Sequence, residues 1–74
     1  MAFLSTDDLE HTLHRVTSRS DARAMINRAA RVAGVATDRP LAVGELLLVC
    51  EALAAEGGAI QELAETIAIR ALRA

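Results

Sequence analysis

Aromatic side chains are all but missing: Phe3 is the only one in 74 residues. A core without rings has to be assembled from Leu, Ile, Val, Met and Ala, and no aromatic platform exists on which nucleic-acid bases would stack. Cysteine is limited to Cys50, which excludes a disulfide within the chain and points to a reducing compartment. One cysteine and two histidines also fall short of the four ligands of a structural zinc site. Lysine is absent, all eight basic residues being Arg, a usage that points to a GC-rich bacterial genome. No apolar run approaches the roughly 20 residues that a membrane-spanning helix needs. Residues 1–8, Met-Ala-Phe-Leu-Ser-Thr-Asp-Asp, carry no basic n-region of a signal peptide and turn acidic at once. The expected location is therefore the cytoplasm, with no membrane contact. A net charge of −2 gives no electrostatic footprint for nucleic acid.

What the chain does have is apolar side chains, 53% of the total. Its length allows one small domain, residues 1–74. For so short a chain, burial and conformational entropy nearly cancel, and disulfides, metals or oligomerisation usually supply the difference. With the first two excluded by composition, oligomerisation is expected.

The stretch 43–56 organises the rest. Val43, Leu46, Leu47, Cys50, Leu53 and Ala54 recur at the three-four spacing of one helix face. Leu48, Val49, Ala52 and Ala55 carry apolar surface well round the circumference, as in a helix flanked by other helices or by a partner chain. Ahead of it, Leu41 and Leu46 bracket Ala42 in the spacing of a hydrophobic staple, with Glu45 three residues after that cap position. Gly57-Gly58 ends this helix.

Three further helices are expected, at about 6–17, 20–33 and 59–73. The first starts from Ser5 and Asp8, close to a capping box, with Phe3 and Leu4 placed to fold back as a staple. It directs Leu9, Leu13 and Val16 inward. The second begins at Ser18 or Ser20, buries Ala22, Met25, Ile26, Ala29 and Ala33, and stops at Gly34-Val35. Thr37-Asp38-Arg39-Pro40 is the turn-rich link to the central helix. The last takes Ile60, Leu63, Ala64, Ile67 and Ala71 to the core. The fold class is all-α: a compact bundle of four short helices, expected to be oligomeric.

Candidate chemistry is sparse. Asp7, Glu10, His11 and His14 form i,i+4 carboxylate-imidazole pairs on the first helix, but the other helices offer no inward His or paired carboxylates to complete a metal site. Cys50, on an apolar face with no activating neighbour, reads as an inert buried thiol. There is no phosphate-binding glycine loop. No catalytic residue, cofactor, metal or small-molecule substrate is expected.

The run Glu51-Ala-Leu-Ala-Ala-Glu-Gly-Gly-Ala-Ile-Gln-Glu-Leu-Ala64 resembles the opening of winged-helix transcription regulators. There a helix, a glycine-containing break and an Ile/Leu-x-Glu-Leu-Ala helix precede the recognition helix. The resemblance covers about a fifth of the chain and implies a helix-turn-helix DNA-binding regulator as the alternative function. The departure comes after Ile67, where that family turns into a polar base-reading helix and this chain continues Ala-Ile-Arg-Ala-Leu-Arg-Ala.

The expectation that organises the remainder is a surplus of apolar surface. Ala68, Ile69 and Leu72 form a second stripe on the last helix, and Leu48, Ala52 and Ala55 do so on the central one. Together they are the candidate contact surface of a non-enzymatic interaction module, an adaptor, assembly subunit or regulator, that binds a second copy or another protein. Residues 15–39 are rich in Arg and residues 40–69 carry only Glu as charge. Arg23, Arg28, Arg31, Glu51 and Glu65 are accordingly the expected rim, steering helices within one chain or two chains against each other.

Overall fold

The computed structural model describes residues 5–73. Four helices follow in order: α1 (Thr6–Leu13), α2 (Arg19–Ala33), α3 (Val43–Ala54) and α4 (Gly58–Arg73). Each borders two others. α3 packs between α2 and α4, and α1 closes the ring by packing on α2 and, more lightly, on α4. The all-α four-helix bundle is thus as the sequence implies. The expected staple of Phe3 and Leu4 lies outside the described residues.

Local chemistry sets the helix ends. Ser5 Oγ accepts the Asp8 N–H at 3.2 Å while the Asp8 carboxylate accepts the Ser5 N–H at 3.2 Å, so α1 opens on a capping box closed by Asp in place of the usual Glu. Ser18, rather than Ser20, caps α2, accepting the Asp21 N–H at 3.1 Å. At the far end Gly34 adopts φ 71°, ψ 33°. The Val35 N–H then reaches back to the Ala30 carbonyl at 2.9 Å, the hydrogen bond of a Schellman stop. Ala42 has no side-chain acceptor, but the Glu45 carboxylate accepts the Ala42 N–H at 3.0 Å. Leu41 and Leu46, 1% and 5% exposed, bury the staple on either side.

Two helices are shorter than the spacing predicts. α1 ends at Leu13 instead of residue 17, because Arg15 and Val16 donate to carbonyls three residues back and wind the chain into a tighter turn. Val16 is therefore carried out of register and left 46% exposed, not buried beneath Leu13. α3 ends at Ala54 instead of residue 56 for the same reason: the N–H groups of Ala55, Glu56 and Gly57 all bond three residues back. Gly57 and Gly58, at φ 78° and 56°, then reverse the chain, and α4 starts one residue earlier than expected.

The core consists of Leu9 and Leu13 from α1, Ala22, Ile26, Ala29 and Ala30 from α2, Leu41 from the loop, Leu46, Val49, Cys50 and Leu53 from α3, and Ile60, Ala64 and Ile67 from α4. On α3 the buried face is rotated relative to the expected one. Val49 is buried, whereas Val43, Leu47 and Ala54 are only half-buried. The rotation follows from having neighbours on two sides, so that the inward face is the one between α2 and α4. Met25, Ala33, Leu63 and Ala71 pack at the core's margin.

Candidate interaction surface

The polar side of the molecule is the seam between α1 and α2. A depression of about 260 Å³ is lined there by Asp7, Glu10, His11, His14, Arg19 and Arg23. Two of its charges, Glu10 and Arg23, are engaged with each other. Arg23 donates to both oxygens of Glu10 at 3.4 Å, and the Glu10 side chain is only 13% exposed. His14 Nδ1 lies 3.1 Å from the Thr17 carbonyl; a carbonyl only accepts, so this nitrogen carries the proton. Among the described residues, no three of His, Cys, Asp and Glu are grouped to hold a metal ion.

Two other arginines of the basic segment, Arg28 and Arg39, also turn toward acids of their own chain. Arg28 on α2 donates to Glu56, just past α3, at 3.3 Å. Arg39 in the loop grips Glu45 in a fork of 2.8 and 2.6 Å. The Arg39 fork, joined by the Ala42 N–H, holds the Glu45 carboxyl down at about 2, since each donor favours the ionised form. The charge segregation of the two halves thus ties α2 to the end of α3 and the loop to the start of α3, while Arg23 and Glu10 tie α2 to α1. Burial pushes the Cys50 thiol up to about 11, which disfavours the nucleophilic thiolate.

The apolar side is different. Leu48 is 49% exposed, Ile69 52% and Leu72 68%, and Ala55 is exposed as well. Ala52 and Ala68, expected in the same stripes, are half-buried and pack against the core. The outer stripes are consequently narrower than the spacing implies, because neighbouring helices cover one edge of each. Leu48, Glu51 and Ala52 are brought together with Val32 and Ala33 around a depression of about 350 Å³ between α2 and α3. Ile69 and Leu72 do not line it. Glu65, expected at the rim, accepts a hydrogen bond from the Gln61 amide at 3.2 Å.

Val32 is the residue that pattern reading missed. It is the most exposed large apolar side chain among the described residues, at 80%. The signal lay in its position: it falls off the stripe of Ala22, Ile26, Ala29 and Ala33, beside Arg31, where an amphipathic helix normally carries a polar residue.

No helix among the described residues is long and apolar enough to cross a membrane. α4 runs unbroken from Gly58 to Arg73, so the turn and recognition helix that the winged-helix resemblance implies after Ile67 are absent from the described residues. A scan against protein-family models and searches of curated proteins and of solved structures found no match to this chain.

Proposed function

We propose that this chain is a small non-enzymatic protein-protein interaction module, acting in the cytoplasm as an adaptor, assembly subunit or regulator. One observation carries the reading: Val32, Leu48, Ile69 and Leu72 stand between 49% and 80% exposed on three consecutive helices of a chain with little core to spare. Scattered exposed leucines need no explanation, but Val32 and Leu48 share one groove, and apolar side chains gathered so are the usual mark of a contact site. Binding would bury these side chains, and charged residues beside them would fix the orientation of the partner.

The test is association of the full chain, measured as solution mass against concentration and as retention of cell-extract proteins, for wild type and for Leu48→Asp and Leu72→Asp. The expected result is association by wild type that the two variants lose while keeping their helical content. A chain that stays monomeric at every concentration, and retains no protein that the variants fail to retain, would end the reading. Binding to duplex DNA with a steep dependence on salt would replace it with the helix-turn-helix alternative.

A further inference from the structure

A second surface of α2 is polar. Arg19, Arg23, Asn27 and Arg31 follow one another at four-residue steps and are all exposed, which makes them a row along the helix. Three depressions adjoin along that row. The first is the one between α1 and α2 that Arg19 and Arg23 help to line. The second, of about 150 Å³, shares Asp7, Glu10 and Arg23 with the first and reaches Asn27 and Thr37. The third, of about 390 Å³, shares Asn27 and Thr37 with the second and ends at Arg31. Since each depression shares walls with the next, the three form one open trough, about 18 Å long from Arg19 to Arg31 at the rise of a helix. Thr6 Oγ1 donates to the Thr37 carbonyl at 3.3 Å and holds the loop wall against α1. Charge is unevenly placed along the trough. Arg19 stands at one end beside His11 and His14, Arg31 stands at the other, and neither arginine forms an ion pair among the described residues. Between them Arg23 is matched by Glu10, and Asn27 and Thr37 supply an amide and a hydroxyl.

We propose that this trough takes an extended segment of another protein that carries two acidic side chains about six residues apart. An extended strand rises about 3.3 Å per residue and returns its side chains to one face at every second position, so this spacing sets one carboxylate at Arg19 and the other at Arg31. The peptide groups between them meet Asn27 and Thr37, which can both donate and accept hydrogen bonds. Matching charge at the two ends fixes the register of the segment. A nucleic-acid strand is a poorer match, because it brings a phosphate at every nucleotide against Asp7 and Glu10 of the α1 wall and finds no aromatic ring on which its bases stack. Leu48, Ile69 and Leu72 line no part of the trough. The proposal therefore goes beyond the apolar contact surface and can fail or succeed without it.

Titration of the full chain with two peptides, followed by NMR of the backbone amides at low ionic strength, tests it. Both are acetylated and amidated so that only side chains carry charge. Glu-Thr-Ser-Thr-Ser-Thr-Glu has the proposed spacing, and Thr-Ser-Glu-Glu-Thr-Ser-Thr has the same composition with its acids together. The spaced peptide should bind at least about fivefold more tightly and shift amides of α1, α2 and the loop at Thr37. Arg19→Glu and Arg31→Gln, both at exposed positions and verified as folded by circular dichroism, should each weaken its binding at least about threefold. Leu48→Asp and Leu72→Asp should leave it unchanged. The proposal is overturned if neither peptide shifts any amide at millimolar concentration, if the two peptides bind alike, or if both arginine variants bind as wild type does. It is overturned too by tighter binding of a single-stranded oligothymidylate than of the spaced peptide, which would assign the trough to nucleic acid. Binding lost on Leu48→Asp or Leu72→Asp and kept in the arginine variants would overturn it in favour of the apolar surface, leaving the interaction-module reading intact.

Discussion

The inward and outward faces of α3 are made of the same residue types and meet opposite fates. Leu46, Val49, Cys50 and Leu53 lie between 0% and 5% exposed, while Leu48, on the same helix, is 49% exposed beside Val32 of α2. Hydrophobicity alone does not separate the two groups. Position around the helix does: α2 and α4 cover one side of α3, and no further helix among the described residues covers the other. The contrast teaches that side chains indistinguishable in composition serve stability on one face and are available for recognition on the other.

The strongest challenge to that contrast is a truncation on the inward face. Leu53→Ala removes a fully buried side chain and should cost about 2–5 kcal/mol, read from the shift of the urea midpoint at constant slope. A loss of only a few tenths would mean that the two faces are not different in kind.

Val32 lies in the last turn of α2, which Gly34 ends. Gly34→Ala places a Cβ at φ 71°, in open space but in a conformation that L-residues disfavour, and should cost about 1 kcal/mol. Thermal unfolding measures this, and an unchanged midpoint would show that the stop is held by packing rather than by glycine.

Acid sharpens the comparison at the start of α3. The Glu45 carboxyl sits at about 2 in the folded chain against an ordinary 4.5. A depressed carboxylate stabilises the fold fully above its unfolded value and loses that contribution as pH falls toward the folded one. Glu45→Gln should accordingly lower the thermal midpoint by a few degrees at pH 7, and the difference from wild type should shrink between pH 4.5 and pH 2. A gap that stays constant over that interval would exclude the Arg39 fork as its cause.

The smallest effect is expected on the outward face. Leu48→Ala and Val32→Ala, at half-exposed and exposed positions, should each change the stability of the monomer by no more than about 0.5 kcal/mol. Measured at a concentration where the chain is monomeric, a cost rivalling that of Leu53→Ala would place these side chains in the core and remove the contrast.

Much of the fold was legible in the residues because caps and stops are local chemistry. Ser5 with Asp8, Ser18 with Asp21, Gly34 with Val35, and Leu41 with Glu45 and Leu46 each act within six residues, and each does in the structure what its type and spacing imply. The ends of α1 and α3 were not legible. Gly57-Gly58 marks where the chain turns after α3 but not the two residues by which the helix stops short, and the tightening into bonds three residues back depends on how the chain is drawn into the next helix. The candidate surface was legible only in outline: Leu48, Ile69 and Leu72 stand out in the pattern, whereas the shelter of Ala52 and Ala68 and the exposure of Val32 depend on which neighbours arrive.

By itself the amino-acid order determined an all-helical chain, its caps, and more apolar helix surface than one stripe per helix requires. Those properties follow from torsional preference and short-range hydrogen bonding, which act between residues a few positions apart. Only the tertiary structure decided that Arg23, Arg28 and Arg39 answer glutamates of their own chain, that α3 turns Val49 inward and Leu48 outward, and that Val32 joins Leu48 around one groove. Burial and ion pairing depend on distances between helices, and residues as far apart as Arg28 and Glu56 come together only after the bundle has closed.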